Sequence, residues 1–182
     1  MIWGAVYVVL AVAFVVRVQT TDDLPPEPVQ PLPGERLWLP RVHHLLLAAV
    51  LLGAPLERLV TAGAVGRRAL GVLLFATGVF LYRLAGRDMG EALSPFTEPR
   101  QGAALVTRGI YRVLRHPMYL SQGLVAFGAP LTLGSRRTLA LSTLAALVLF
   151  VRVLREEEAL ARTFPEYSRY AARTKRLVPF LY

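Results

Sequence analysis

The chain has 182 residues, of which 54% are hydrophobic, and its formal net charge is +9 at pH 7. The length predicts one domain, and the mean hydropathy of +0.46 is too high for an ordinary soluble protein. Cysteine is absent, which excludes disulfides, thiolate metal sites and a cysteine nucleophile. A pI near 10.8 is compatible with nucleic-acid binding. The basic residues stand between apolar runs, however, so they are interpreted as loop arginines of a membrane protein, and no nucleic-acid partner is predicted.

Apolar runs predict an all-α integral membrane protein with about five transmembrane helices. The runs cover about 2–16, 42–60, 69–85, 117–133 and 138–154. Each approaches the roughly 17–25 residues that cross a bilayer core. The second run is the least regular, because it contains Pro55 and ends at Glu57 and Arg58. The first could be a secretory signal peptide, but no basic segment precedes it, and a true span is preferred.

The distribution of basic residues predicts the orientation in the membrane. With five spans, the segments 17–41, 83–115 and 152–182 share one side and carry 16 Arg and Lys, whereas the other side carries five. The positive-inside rule then places the N-terminus outside and the C-terminus in the cytoplasm.

The connecting segments differ in composition. Residues 19–40 are rich in proline and acidic residues and predict an extended cytoplasmic loop, and 86–110 form a second long cytoplasmic connection. Beyond the last run, 155–164 predict a further helix that Pro165 interrupts. The apolar ending 177–182 is expected to return to the membrane surface.

A first polar cluster, Arg115-His116-Pro117, stands at the start of the fourth apolar run. Proline suits the first turn of a helix, so the cluster predicts a loop-to-helix junction whose free N–H groups favour an anion. Tyr119 would lie on nearly the same helical face as His116. The alternative is an interfacial anchor of Arg, His and Tyr, which is common at membrane boundaries.

A second polar cluster, Arg152 with Glu156 and Glu157, stands at the end of the fifth run. Polar groups that face one another at membrane boundaries indicate a functional site. The alternative is an i,i+4 ion pair between Arg152 and Glu156, worth a few tenths of a kcal/mol. The adjacent His43 and His44 point to different helical faces, so no metal site is predicted. Neither a dinucleotide fingerprint, nor a phosphate loop, nor a nucleophile elbow is present in the sequence.

Together these stretches resemble the isoprenylcysteine carboxyl methyltransferase family and its bacterial phospholipid-methyltransferase-like relatives. The matching residues are Leu105, Val106, Thr107, Gly109 and Tyr111, then Arg115 to Tyr119, then Arg152, Glu156, Glu157, Leu160, Phe164, Tyr167 and Tyr170, and the ending Arg176 to Pro179. The resemblance covers roughly 86–182 and implies one membrane methyltransferase domain, 1–182, whose cofactor-binding part is about 86–182. It also implies a bacterial inner (plasma) membrane.

The resemblance implies S-adenosylmethionine in a pocket that faces the cytoplasm and is covered by the C-terminal helical segment. The acceptor would be a lipid-like molecule from the bilayer. The residues that would hold the cofactor are His116, Pro117, Met118, Tyr119, Tyr111 and Glu156, with the backbone of Ala103, Ala104, Leu105 and Val106 at the adenosyl end. Arg152 would face the acceptor. The chain departs from the eukaryotic pattern at Ala103, where those enzymes carry histidine, and at 164–167.

The chemistry fits this set of residues. Methyl transfer to a carboxylate is an in-line displacement without proton removal, so catalysis would depend on alignment and the exclusion of water. An Arg152 fork suits a carboxylate acceptor, whereas an amine acceptor would need a base such as Glu157 or His116. Carboxyl O-methylation is therefore the leading expectation and phospholipid N-methylation the alternative. A non-catalytic membrane accessory protein and a nicotinamide-dependent reductase with the same architecture also stay open.

Overall fold

The computed structural model describes residues 2–19, 37–58, 65–94 and 96–177. The α-helices are α1 (Ile2–Gln19), α2 (Trp38–Arg58), α3 (Val65–Met89), α4 (Pro117–Leu133), α5 (Arg136–Thr163) and α6 (Tyr167–Ala171), with 3-10 turns at Gly90–Ala92 and Gly109–Arg112. Within these ranges the only β feature is a bridge between Leu114 and Lys175. Most of the predicted 19–40 loop, and the ending beyond residue 177, lie outside the described residues.

The described residues confirm the all-helical class, and three helices are long and apolar enough to cross a membrane: Trp38–Glu57, Arg67–Ala92 and Arg136–Thr163. The apolar part of α1, Ile2–Phe14, is shorter, and α4 has 17 residues. The count of five spans therefore stays a prediction. Helix α4 begins and ends where the sequence predicts, because Pro117 opens it and Gly134, with φ of 77°, ends it.

Helix α5 contains two segments that the sequence predicts. The apolar run 138–154 and the helix predicted over 155–164 form one helix that continues without a break to Thr163. Arg, Glu and Leu are good helix formers, so the helix persists after the apolar residues end and stops just before Pro165. The second polar cluster is consequently held on the same rigid helix as the span. Pro55 lies inside α2, which continues to Arg58.

Helices α3 and α4 pack backbone against backbone. A Cβ atom on Gly71 would lie 2.2 Å from the backbone N of Thr132, and a Cβ on Gly128 would lie 2.5 Å from the backbone N of Phe75. Glycine permits this close approach, which is how helices associate in lipid, where apolar burial alone offers little driving force.

Aromatic residues of α1 complete the packing around α3. The rings of Tyr7 and Phe75 lie 5.7 Å apart, and those of Phe14 and Tyr82 lie 5.1 Å apart. The Tyr7 hydroxyl also donates to the carbonyl of Leu51 in α2. These contacts join α1, α2, α3 and α4 around one apolar core.

A carboxylate of α2 caps the start of α5. Glu57 accepts hydrogen bonds from the backbone N of Arg137 and from the backbone N of Thr138, each at 2.9 Å, and the Ser135 hydroxyl donates to the carbonyl of Ala54 at 2.7 Å. The first N–H groups of a helix have no partner within it, and here the neighbouring helix supplies one. This contact holds α2 alongside α5.

Candidate active site

The first polar cluster forms the junction that the sequence predicts. His116 is the N-cap of α4 and Pro117 occupies its first turn. The backbone before it is tied to the C-terminal segment: Arg115 N donates to Lys175 O at 2.8 Å, and His116 N donates to Arg176 O at 3.1 Å. The C-terminal segment therefore lies directly beside the start of α4.

The His116 ring lies between the two glutamates of α5. It is only 2% exposed, with Nδ1 3.7 Å from Oε1 of Glu156 and Nε2 3.3 Å from Oε1 of Glu157. Burial by itself would lower the pKa of His116, but the carboxylates of Glu156 and Glu157 outweigh burial and raise that pKa above its ordinary value. The two carboxylates therefore favour the protonated form of the His116 ring.

Glu157 joins the loop before α4 to the C-terminal segment. Its Oε1 accepts from Nε of Arg115 at 2.8 Å, and its Oε2 accepts from Arg176 through Nε at 2.8 Å and Nη2 at 2.6 Å. Arg115 also donates through Nη1 to the carbonyls of Ala171 and Thr174, at 2.8 and 2.6 Å. These bonds hold residues 171–176 against the end of α5.

Glu156 and Arg152 are linked through Tyr119. The Tyr119 hydroxyl donates to Oε2 of Glu156, and the Arg152 guanidinium lies over the Tyr119 ring with Cζ 5.3 Å from its centroid. Arg152 is 3% exposed, and its Nη1 lies 3.0 Å from Nδ1 of His43 in α2. The two polar clusters therefore meet, and a residue of α2 joins them.

A cavity adjoins this cluster. It is partly open to solvent, and its volume of about 90 Å³ is smaller than the roughly 300–1,000 Å³ of typical small-molecule sites. One wall is the loop 96–106, and the opposite wall comes from Tyr111 with the end of α5 and α6. Leu160, Phe164 and Tyr170 belong to this second wall, so the C-terminal helical residues do border the cavity. An ion pair between Arg162 and Glu98, at 2.9 Å, ties the two walls together.

The side chain of Tyr111 lines the cavity and carries a buried hydroxyl. Its hydroxyl is buried and has no hydrogen-bond partner among the described residues, although Tyr170 fixes the backbone there by donating to Tyr111 O at 2.8 Å. Burial, then the nearby Glu156 carboxylate, raises the pKa of Tyr111 well above its ordinary value, so the hydroxyl keeps its proton. A buried donor without a partner is costly, and a polar ligand in this cavity would satisfy it.

The structure places the predicted site residues in two groups. Those that line the cavity are Ala103, Ala104, Leu105, Val106, Tyr111 and Glu156. Those that are not among the lining residues, and belong to the polar cluster or the first turn of α4, are His116, Pro117, Met118, Tyr119, Arg152 and Glu157. Among the described residues there is no group of three or more His, Asp or Glu that could hold a metal ion.

Sequence reasoning missed three contributors. His43 was considered only as a metal ligand, and Arg115 and Arg176 were not recognised as partners of Glu157. The basic-apolar ending that contains Arg176 was a signal, because a buried carboxylate needs a compensating charge. Nothing in the sequence pairs His43 with Arg152.

The fold and site define a helical membrane protein with a polar, cavity-bearing end. Residues 66–167 match the phospholipid methyltransferase family, and the match covers more than half of the chain. The chain belongs to this family, which comprises the isoprenylcysteine-methyltransferase-like membrane methyltransferases. The resemblance inferred from the sequence is thereby confirmed.

Two curated relatives align with part of the chain. Over 85 residues it is 38% identical to the nickel-cobalt-cadmium resistance protein NccN of Alcaligenes xylosoxydans xylosoxydans, covering 45% of this chain and 39% of that protein. Over 83 residues it is 36% identical to the cobalt-zinc-cadmium resistance protein CzcN of Cupriavidus metallidurans, covering 45% and 38%. The aligned part spans about two fifths of the length of either relative.

Proposed function

We propose that the protein transfers a methyl group from S-adenosylmethionine to an amphipathic acceptor that reaches the site from the membrane. The observation that carries the proposal is the cavity between loop 96–106 and the end of α5, with the unpartnered Tyr111 hydroxyl and the Glu156 carboxylate in its wall. Membership of a membrane methyltransferase family supports the reaction class.

The residues present fit the cofactor. When bound, S-adenosylmethionine supplies an electrophilic methyl group on a sulfonium. The Tyr111 hydroxyl would donate a hydrogen bond to it, Glu156 would offer a carboxylate to its cationic part, and the backbone of Ala103 to Val106 would bind its adenosyl end. His116 and Tyr119 would act behind the wall, because both contact Glu156 and so determine where its carboxylate lies. Pro117 and Met118 would shape the first turn of α4.

A carboxylate is the acceptor that the site suits best. The cluster contains three guanidinium groups, of Arg115, Arg152 and Arg176, and two carboxylates, of Glu156 and Glu157, so it is net positive even with His116 neutral. The candidate bases are both engaged: Glu157 by two arginines and His116 by two glutamates. A carboxylate needs no proton removed. Arg152 would orient it, and Glu157 would hold the C-terminal segment in place.

Phospholipid N-methylation is the second candidate, and the name of the matched family favours it. An ammonium acceptor must lose a proton before it attacks, so this reaction requires that Glu157 or His116 be released from its ion pairs. A phospholipid also carries a phosphate, which the net positive cluster would bind. The bond that the transferred methyl group forms, a methyl ester or an N-methyl bond, therefore separates the two candidates.

A labelled-methyl assay tests the proposal. The purified protein would receive methyl-labelled S-adenosylmethionine with either N-acetyl-S-farnesylcysteine in micelles or phosphatidylethanolamine vesicles. We expect label in the farnesylated acid that mild base releases as methanol, the behaviour of a methyl ester. Base-stable label in the phospholipid would establish N-methylation instead. Absence of label from both probes and from a total lipid extract would contradict the methyltransferase proposal.

The variant Arg152→Lys, measured in the same assay, tests whether Arg152 binds the methyl acceptor. The planar fork of arginine binds a carboxylate through two hydrogen bonds that lysine cannot reproduce, so we expect turnover to fall about tenfold or more while cofactor affinity stays near wild type. The matched control is Arg155→Lys, because Arg155 is exposed and forms a surface ion pair with Glu158. Unchanged turnover in Arg152→Lys would remove Arg152 from the acceptor site.

We also propose that the whole chain forms one domain in a bacterial inner membrane, with five spans, the N-terminus outside and the C-terminus in the cytoplasm. The 16-to-5 asymmetry of basic residues supports this orientation, and the organisms of the two relatives support a bacterial source. The cavity and the polar cluster would then face the cytoplasm.

A further inference from the structure

His43 is a buried polar residue in the first half of α2, outside residues 66–167 that match the family. Its side chain is 1% exposed, and its Nδ1 lies 3.0 Å from Nη1 of Arg152, a residue 109 positions away in sequence. The adjacent His44 is an exposed residue whose ring stacks on that of His43 at 5.4 Å. Two neighbouring histidines thus occupy different environments.

The contact with Arg152 determines the protonation of the His43 ring. Arginine has donors only and keeps its charge in proteins, so Nη1 donates and Nδ1 of His43 must accept. The ring is therefore neutral, with its proton on Nε2. A neutral imidazole orients the guanidinium without cancelling its positive charge.

Arg152 is held from two directions. The His43 ring edge contacts Nη1, and the Tyr119 face lies 5.3 Å from Cζ, while the His43 and Tyr119 rings are 6.4 Å apart at 60°. The three residues come from α2, α5 and α4. A cation over an aromatic face can rotate in its plane, and the directional bond to His43 restricts that rotation.

We propose that His43 is a positioning residue for the methyl acceptor: it fixes the plane of the Arg152 guanidinium so that an anionic headgroup with an apolar tail is bound beside the cavity. This inference rests on the proposed function and extends it, because α2 would then supply part of the acceptor site. Arg152 and Glu156 stand one turn apart on α5, about 6 Å along the axis, so the acceptor would be held within a turn of the carboxylate that lines the cavity. The hydrogen bonds from the start of α5 to Glu57 hold α2 against α5 and would keep His43 level with Arg152.

Three variants test the positioning role with N-acetyl-S-farnesylcysteine in micelles as the probe. His43→Ala removes the nitrogen that accepts the hydrogen bond from Arg152. We expect the KM for the probe to rise about tenfold, with the Kd for S-adenosylmethionine within about twofold of wild type. His43→Asn places an amide oxygen near the position of Nδ1 and is expected to restore most of the loss. His44→Ala is the matched control, one residue along the same helix, and should resemble wild type.

A merely structural role for His43 gives a different pattern. If His43 only filled space, the alanine and asparagine variants would lose activity alike, or cofactor affinity would fall together with acceptor affinity. Either result would overturn the inference, as would wild-type KM in His43→Ala.

A second measurement needs no activity and separates failure of this inference from failure of the proposed function. The chain has three histidines, so nitrogen NMR of the histidine-labelled protein in detergent gives few signals, and His43→Asn assigns the one that disappears. We expect Nδ1 of His43 to be unprotonated and Nε2 protonated. A proton on Nδ1 would refute the contact with Arg152 even in an active enzyme. An inactive wild-type protein with the expected tautomer would refute the carboxylate-methylation proposal while keeping the contact.

Discussion

The environment of His116 changes the pKa of its ring. Its pKa is raised above the ordinary value of 6.5 because Glu156 and Glu157 outweigh the effect of burial. A raised folded-state pKa means that the protonated ring stabilises the fold fully below the unfolded pKa, near 6.5. That contribution is lost as the pH rises through the higher folded-state value.

We therefore expect the thermal midpoint of the wild-type protein in detergent to fall as the pH rises from about 6.5 through the raised pKa. His116→Gln should lack this decline, whereas His44→Gln, which changes an exposed residue, should keep it. Parallel pH profiles for wild type and His116→Gln would show that His116 does not couple protonation to folding.

At the residue scale, sequence reasoning predicted the members of the site better than their partners. His116, Tyr119 and Glu156 could be predicted to converge, because each stands at the boundary of an apolar run and such boundaries meet at a membrane face. The bond between His43 and Arg152 could not, since it depends on how α2 packs against α5. Glu157 was predicted as a base, and its bonds to Arg115 and Arg176 became apparent only from the position of the C-terminal segment.

The start of α4 belongs to the site, and α4 packs on α3 at a spacing that depends on glycine. A Cβ on Gly128 would lie 2.5 Å from a backbone nitrogen of α3, whereas one on Gly123, in the same helix, would have no atom of another described element within 4 Å. We expect Gly128→Ala to destabilise the protein by about 1–3 kcal/mol, the usual effect of overpacking.

Gly123→Ala serves as the control for that substitution. It should leave stability unchanged or raise it by up to about 1 kcal/mol, because alanine is the better helix former. Thermal unfolding of both variants in one detergent gives the comparison. A Gly128→Ala variant as stable as Gly123→Ala would contradict the close packing of α3 on α4.

At the element scale, the sequence predicted α4 residue for residue because Pro117 and Gly134 delimit it. For α5 the sequence predicted an apolar run to 154 and helix over 155–164, and the structure joins them in one helix. Hydropathy alone does not give this length, since it marks where a helix leaves an apolar environment and not where its backbone hydrogen bonds end. The packing of α3 on α4 could not be foreseen, because a glycine in an apolar run is equally compatible with a lipid-facing position.

The whole molecule offers a direct test of orientation because it contains no cysteine. Gln101 and Arg173 are exposed near the cavity end, and Arg136 is exposed at the start of α5. In intact cells, Gln101→Cys and Arg173→Cys should be protected from an impermeant thiol reagent, whereas Arg136→Cys should be labelled. The inverse pattern would reverse the proposed topology, and labelling of Gln101→Cys or Arg173→Cys alone would refute the five-span arrangement.

At the scale of the molecule, the cavity between loop 96–106 and the end of α5 is the proposed binding site of S-adenosylmethionine. The buried Tyr111 hydroxyl in its wall allows a specific test. This hydroxyl is buried and has no hydrogen-bond partner in the described part of the chain, so removing it should cost no stability; with the cofactor bound it would donate a hydrogen bond worth about 0.5–1.5 kcal/mol.

Equilibrium binding of S-adenosylmethionine to the purified protein and to Tyr111→Phe tests this most directly. Tyr167→Phe, which changes a buried tyrosine that does not line the cavity, is the control. We predict saturable binding to the wild-type protein and to Tyr167→Phe, and roughly two- to tenfold weaker binding to Tyr111→Phe, with the free Tyr111→Phe protein at least as stable as wild type. Absence of saturable binding, selective binding of a nicotinamide cofactor instead, or equal affinity in all three proteins would contradict the account.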